Sequence, residues 1–77
     1  MIYFLKRGTE TMACETRLSP EGDGYELVVT RSDGIQVEPF TELADMLAHE
    51  HELLLAWRAQ GWRDEFATRS IGRLRPM

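Results

Sequence analysis

Hydrophobic and polar residues alternate over much of the first forty positions, and glycines separate the alternating runs. The clearest run is residues 10–18. One side carries Met12, Cys14, Thr16 and Leu18, and the other side carries Thr11, Ala13, Glu15 and Arg17. A period of two is typical of a strand with one buried face. Residues 25–31 and 35–38 repeat the pattern, and a shorter run precedes Gly8. The pattern predicts a four-stranded antiparallel meander.

The turns predict how the strands pair. A two-residue loop at Gly8 and Thr9, of type II′, sets Leu5 opposite Met12 and Tyr3 opposite Cys14. Pairing across the next connection sets Leu18 opposite Tyr25, Thr16 opposite Leu27 and Arg17 opposite Glu26.

The last hairpin admits two loops. A two-residue loop at Asp33 and Gly34 would set Val29 against Glu38 and bury a charge. A three-residue loop over residues 32–34 sets Val29 against Val37 instead, so we expect the longer loop. The predicted buried face is then Tyr3, Leu5, Met12, Cys14, Leu18, Tyr25, Leu27, Val29, Ile35 and Val37.

After Phe40 the apolar spacing changes from two to the helical three and four. Thr41 is the expected N-cap and Gly61 the expected C′ residue of a helix over residues 42–60. Its apolar stripe is Leu43, Met46, Leu47, Leu53, Leu54 and Trp57. The predicted fold is α+β, with four strands and then one helix packed on one sheet face. Residues 1–62 form the single domain, and residues 63–77 form an Arg-rich, weakly ordered tail.

Composition limits the class of protein. The net charge of −4 argues against bulk electrostatic binding to nucleic acid or anionic lipid. The chain has one cysteine, Cys14, and no apolar run of the length that a membrane span requires. We expect a cytoplasmic protein without a membrane partner, and a core position for Cys14.

Glu50 is the unexplained polar residue on the apolar stripe of the helix. One interpretation is that its carboxylate reaches the sheet edge and meets an arginine such as Arg31. The other is a partly buried carboxylate with a raised pKa at a binding site.

No residue pattern indicates catalysis. His49 and His51 are two positions apart and point to different sides of a helix, so they do not form a zinc motif. Cys14 has no evident base, and the acidic turn at residues 21–24 lacks the phosphate-loop and calcium-loop patterns. We expect no enzyme activity, no metal and no cofactor.

A second stripe of small and apolar residues lies beside the core stripe of the helix. Together the two stripes cover more of the helix circumference than one sheet can bury. This helix flank is Ala44, Ala48, His51, Leu55 and Ala59. Either alanine serves there as a helix former, or two copies of the chain pack along it. Phe4, Ala13 and Val28 on the opposite sheet face are a rival contact patch. Self-association would also offset the small stability margin of a short chain.

The segment from Gly22 to Thr30 (GDGYELVVT), the Asp33-Gly34 turn and the Gly61-Trp62 pair resemble a family of short uncharacterised bacterial proteins over residues 2–62. At the level of topology, four strands followed by a helix is similar to the PC4/Whirly arrangement. That resemblance implies single-stranded DNA binding by a homodimer. The sheet surface of that family is basic, whereas Glu15, Glu26 and Glu38 accompany Arg17 here.

The first hypothesis is therefore a non-enzymatic binding or interaction module that forms a homodimer. The alternative is a weak single-stranded nucleic-acid-binding or regulatory protein that uses Arg69, Arg73 and Arg75 and also Lys6 with Arg7. A small enzyme is the third hypothesis.

Overall fold

The computed structural model describes residues 1–65. Its elements are β1 (Ile2–Arg7), β2 (Glu10–Leu18), β3 (Tyr25–Arg31), β4 (Gly34–Phe40), α1 (Leu43–Ala59) and β5 (Arg63–Asp64). The strands form one antiparallel sheet in the order β4-β3-β2-β1-β5. The α+β fold with one helix after four strands is confirmed. The short β5, which pairs with β1 beyond the predicted boundary at residue 62, was not predicted.

The predicted register of the first two hairpins is confirmed. Leu5 lies opposite Met12, and Gly8 turns with a φ of 62°. Leu18 lies opposite Tyr25. The outer-face pair is also present, because the Arg17 guanidinium lies 3.1 Å from the Glu26 carboxylate.

The predicted register of the last hairpin is wrong. Arg31 pairs with Gly34, which leaves a two-residue loop at Ser32 and Asp33, and Val37 lies opposite Val28 rather than Val29. No residue other than glycine has a positive φ among residues 1–65, so the loop turns without a left-handed position. A shift of one residue reverses the face of every side chain on a strand. Ile35 and Val37 consequently lie on the outer face, away from the helix.

The core lies between α1 and the inner face of the sheet. Its buried members are Leu5, Met12, Cys14, Leu27, Val29, Met46, Leu54, Trp57 and Trp62. Leu18 shares this face but is exposed at the end of β2. Leu43 and Leu47, predicted for the core stripe, are about half exposed near the start of the helix. The inner-face positions of β4 hold Gln36 and Glu38, opposite Val29 and Leu27.

The two ends of the helix differ from the prediction in different ways. The N-cap is Glu42, which makes no side-chain capping bond, so the prediction of Thr41 is wrong. The C-terminal end is confirmed: Gly61 has a φ of 98°, and the Trp62 amide donates to the Trp57 carbonyl at 3.0 Å. The Gly61 amide also donates to the Arg58 carbonyl, which completes a Schellman motif.

No helix within residues 1–65 is long and apolar enough to cross a membrane.

Candidate functional site

A cleft separates α1 from β4. Because the inner-face positions of β4 are polar, the apolar face of the helix does not close over this strand. The resulting opening, here called the β4 cleft, has a volume of about 470 Å³. Its lining residues are Leu27, Val29, Arg31, Gln36, Val37, Glu38, His49, Leu53 and Trp57.

The floor of the β4 cleft is apolar and fixed in place. Leu27, Val29 and Trp57 are buried core residues, and Leu53 packs against the same cluster. They come from β3 and from the side of α1 that faces β4. Ligand sites typically combine such an apolar floor with a few polar groups at the rim, in a volume of ~300–1,000 Å³.

The two ends of the β4 cleft carry different charges. At one end, the Arg31 guanidinium lies 5.9 Å from the centre of the Trp57 ring, a cation–π geometry. At the other end, Glu38 Oε1 lies 3.2 Å from His49 Nε2, and the His49 ring lies 5.7 Å from the Phe40 ring.

Glu50 is buried in the core and is not paired with Arg31. It is 6% exposed, and its Oε2 atom has no hydrogen-bond partner. Burial raises the pKa of Glu50, and the positive α-amino group of Met1 partly offsets this shift. The interpretation in which its carboxylate meets Arg31 is wrong. The burial and the raised pKa agree with the second interpretation, but Glu50 does not line the β4 cleft, so its place at a binding site stays a prediction.

Cys14 is a core residue, as predicted, and is fully buried. Burial, together with the nearby Glu50 carboxylate, raises the pKa of the Cys14 thiol to about 11. A thiol in this environment stays protonated and has little nucleophilic reactivity at neutral pH.

The predicted contact residues lie on two separate surfaces. The whole helix flank (Ala44, Ala48, His51, Leu55 and Ala59) is exposed on α1. Phe4 and Val28 lie on the outer sheet face, where Phe4 is 36% exposed and Val28 only 7%. The corrected register adds Ile35 and Val37 to this outer patch, at 68% and 50% exposure.

The two histidines have different surroundings. His49 contacts Glu38 and also lies 4.0 Å from Glu52, whereas His51 is exposed on the helix flank. Within residues 1–65, no three His, Cys, Asp or Glu side chains are placed to hold a metal ion.

The predicted nucleic-acid contacts are only partly described. Arg69, Arg73 and Arg75 lie outside the described residues. Arg7 is engaged within the fold: its guanidinium lies 3.0 Å from the Glu10 carboxylate and 4.8 Å from the Trp62 ring centre. Residues 1–65 carry thirteen acidic and six basic side chains, so the described surface is acidic.

Comparison with known proteins returns no family model, no curated protein and no solved structure that matches this chain.

The β4 cleft was not predicted from the sequence. The predicted register places Ile35 and Val37 over the position that the cleft occupies and places Gln36 and Glu38 in solvent. One signal was present in the sequence: a two-residue loop at Ser32 and Asp33 also fits the spacing, and it would have turned Gln36 and Glu38 toward the helix.

Proposed function

We propose that this chain is a non-enzymatic interaction module that forms a homodimer through the exposed edge of β4. The observation that carries the proposal is the register of β4. Among residues 1–65, β4 is an edge strand, so its apolar outer face lies next to backbone groups that bond to no further strand.

The backbone of β4 can accept another strand. Residues that flank a two-residue hairpin loop form a hydrogen-bonded pair, so Arg31 and Gly34 exchange backbone bonds. By alternation, Gln36 and Glu38 also bond to β3. The N–H and C=O groups of Ile35 and Val37 therefore point away from β3, toward the open edge.

The side chains of β4 are complementary to those of an antiparallel second copy. If a two-fold axis passes beside Val37, Val37 lies opposite Val37 of the second copy, and Ile35 lies opposite Pro39. On the inner face, Gln36 then lies opposite Glu38, an amide donor against a carboxylate acceptor. Such self-complementarity is what a two-fold interface requires.

Pro39 also fits this arrangement. It lies opposite Ile35 of the second copy and lacks an N–H group, so this pair can form one backbone bond instead of two. Its carbonyl can still accept a bond from Ile35 of the second copy.

The non-enzymatic part of the proposal is supported by the environment of Cys14, the one cysteine thiol of the chain. Cys14 is fully buried, and burial raises its pKa to about 11. The nucleic-acid alternative rests on Arg69, Arg73 and Arg75, outside the described residues. We infer no nucleic-acid function from the acidic described surface.

Sedimentation equilibrium of the unmodified chain tests the proposal, with an expected mass of about twice 8.9 kDa. Val37→Pro removes an outward N–H without removing a bond to β3, so this variant is expected to be a folded monomer. In the dimer, the Val37 amide is expected to resist hydrogen exchange, unlike that of an unpaired edge strand.

Leu55→Lys is the matched control, because Leu55 is similarly exposed but lies on the helix flank. It is expected to remain a dimer. A monomeric unmodified chain would overturn the proposal of self-association. A dimer that survives Val37→Pro but dissociates in Leu55→Lys would instead place the interface on the helix flank.

A further inference from the structure

We propose that the β4 cleft binds a small amphipathic carboxylate, with its acid group at Arg31 and its apolar body along the floor toward Glu38. This inference goes beyond self-association and does not depend on it. It rests on the shape of the cleft, its apolar floor and the opposite charges at its ends.

Arg31 is the group that would bind the acid. Its side chain forms no ion pair within residues 1–65, and its guanidinium lies over the Trp57 ring at the mouth of the cleft. A neighbouring depression of about 460 Å³ also reaches Arg31, so solvent approaches it from a second side. A guanidinium presents several N–H donors in a plane, which suits a carboxylate. The side-chain amide of Gln36 lines the same cleft and supplies a neutral donor.

The apolar floor determines the body of the ligand. Leu27, Val29, Leu53 and Trp57 offer aliphatic and aromatic surface, and no charged side chain lies between the two ends of the lining. Glu38 pairs with Leu27, four residues along β3 from Arg31. At about 3.3 Å per residue, the two ends are roughly 13 Å apart, which fits a medium-chain acid.

Glu38 determines the direction of binding. Its carboxylate, held beside His49, repels a second acid group at the far end of the cleft. An amphipathic acid therefore binds in one orientation, and a dicarboxylate binds poorly.

Titration with decanoate below its micelle concentration tests the inference, with decanol as the uncharged matched probe. Nuclear magnetic resonance follows the Trp57 indole and the Gln36 side-chain amide. The Trp62 indole, which lies beside Arg7 and outside the cleft lining, is the internal control. Decanoate is expected to shift Trp57 and Gln36 and to leave Trp62 unchanged.

Three variants make the test specific. Arg31→Gln is expected to weaken decanoate binding about tenfold or more and to leave decanol binding unchanged, because only the charged contact is lost. Glu38→Gln, the matched removal of the opposite charge, is expected to retain or strengthen decanoate binding. Leu53→Trp is expected to fill the cleft and weaken both probes.

Equal decanoate affinity in Arg31→Gln, or no binding at all, would overturn the inference. Shifts confined to the outer-face depression around Phe4, Thr11 and Ala13 would also overturn it. Repeating the titration on Ile35→Pro separates this inference from the dimer, because Ile35 lies on the β4 edge but does not line the cleft. The cleft of that variant is expected to bind decanoate in the monomer too.

Discussion

At the residue scale, Glu50 is the one buried charged side chain among residues 1–65. It is only 6% exposed, and its Oε2 atom has no hydrogen-bond partner. A buried carboxyl group with an unsatisfied oxygen lowers the free energy of unfolding. The loss is on the order of 1–3 kcal/mol when the group is protonated. Cys14 beside it is also shifted toward its protonated form. Burial therefore shifts both groups at the centre of this core toward their protonated forms.

The raised pKa of Glu50 makes stability depend on pH. Above the ordinary glutamate value of 4.5, the unfolded chain has lost the proton that folded Glu50 retains. The contribution of this group is full below 4.5 and is lost as the pH rises through the raised folded value. Glu50→Gln is expected to remove that loss in urea unfolding measured from pH 4 to pH 8. Glu50→Leu is expected to gain roughly 1–3 kcal/mol at neutral pH.

The control for this prediction is Glu52→Gln on the same helix, because the Glu52 side chain is 78% exposed. It is expected to leave the pH profile of stability close to that of the unmodified chain. A Glu50→Gln profile that also matches the unmodified chain would contradict the role assigned to Glu50.

At the element scale, the connection between β2 and β3 depends on close packing at one glycine. Gly24 has a φ of 83°, and a Cβ atom there would lie 2.5 Å from the Phe40 carbonyl oxygen at the end of β4. Gly22 in the same connection has a φ of 86° but would meet no atom within 4 Å. The two positions thus share backbone strain and differ in available space.

Alanine at these two positions separates the two effects. Gly22→Ala is expected to cost about 1 kcal/mol, from the left-handed backbone alone. Gly24→Ala is expected to cost roughly 2–4 kcal/mol, since the Phe40 backbone must also move. Urea unfolding midpoints measure both. Equal losses would show that the contact between Gly24 and Phe40 does not constrain the fold.

The elements also show what local sequence can predict. The first two hairpins were predicted correctly because their signals are local. Gly8 supplies the positive φ that the first turn requires, and Arg17 pairs with Glu26 across the strands of the second hairpin. The C-terminal end of the helix was predicted because Gly61 and Trp62 form a local motif. The last hairpin was predicted wrongly because the local residues suit both the predicted three-residue loop over residues 32–34 and the observed two-residue loop at Ser32 and Asp33. The choice between them depends on how far α1 reaches across the sheet, which is a non-local property.

At the scale of the whole molecule, a small core and an open strand edge favour association. A chain of this length buries only about 60% of its unfolded surface, so binding to a second copy adds appreciable stability. The β4 cleft lies on the inner face of the sheet, beside the same strand whose open edge would form the dimer. A dimer formed at this edge would therefore place two clefts near each other on the inner face.

Thermal unfolding at increasing protein concentration tests the coupling of stability to association. The melting temperature of the unmodified chain is expected to rise by a few degrees per tenfold increase in concentration, since mass action stabilises a dimer. The Val37→Pro variant is expected to show no such dependence. A melting temperature independent of concentration in both proteins would contradict folding coupled to association.

The sequence by itself determined the order of the strands and the helix, and which side chains of β1, β2 and β3 face the core. It also determined the C-terminal end of the helix and showed that Glu50 is a charged residue on the apolar stripe of the helix. These features follow from periodicity and from short motifs, which are local. Only the tertiary structure decided the face of β4, the short pairing of β5 with β1, the burial of Glu50 away from Arg31 and the existence of the β4 cleft. Each of these depends on where the helix lies over the sheet, and packing between distant parts of the chain determines that position.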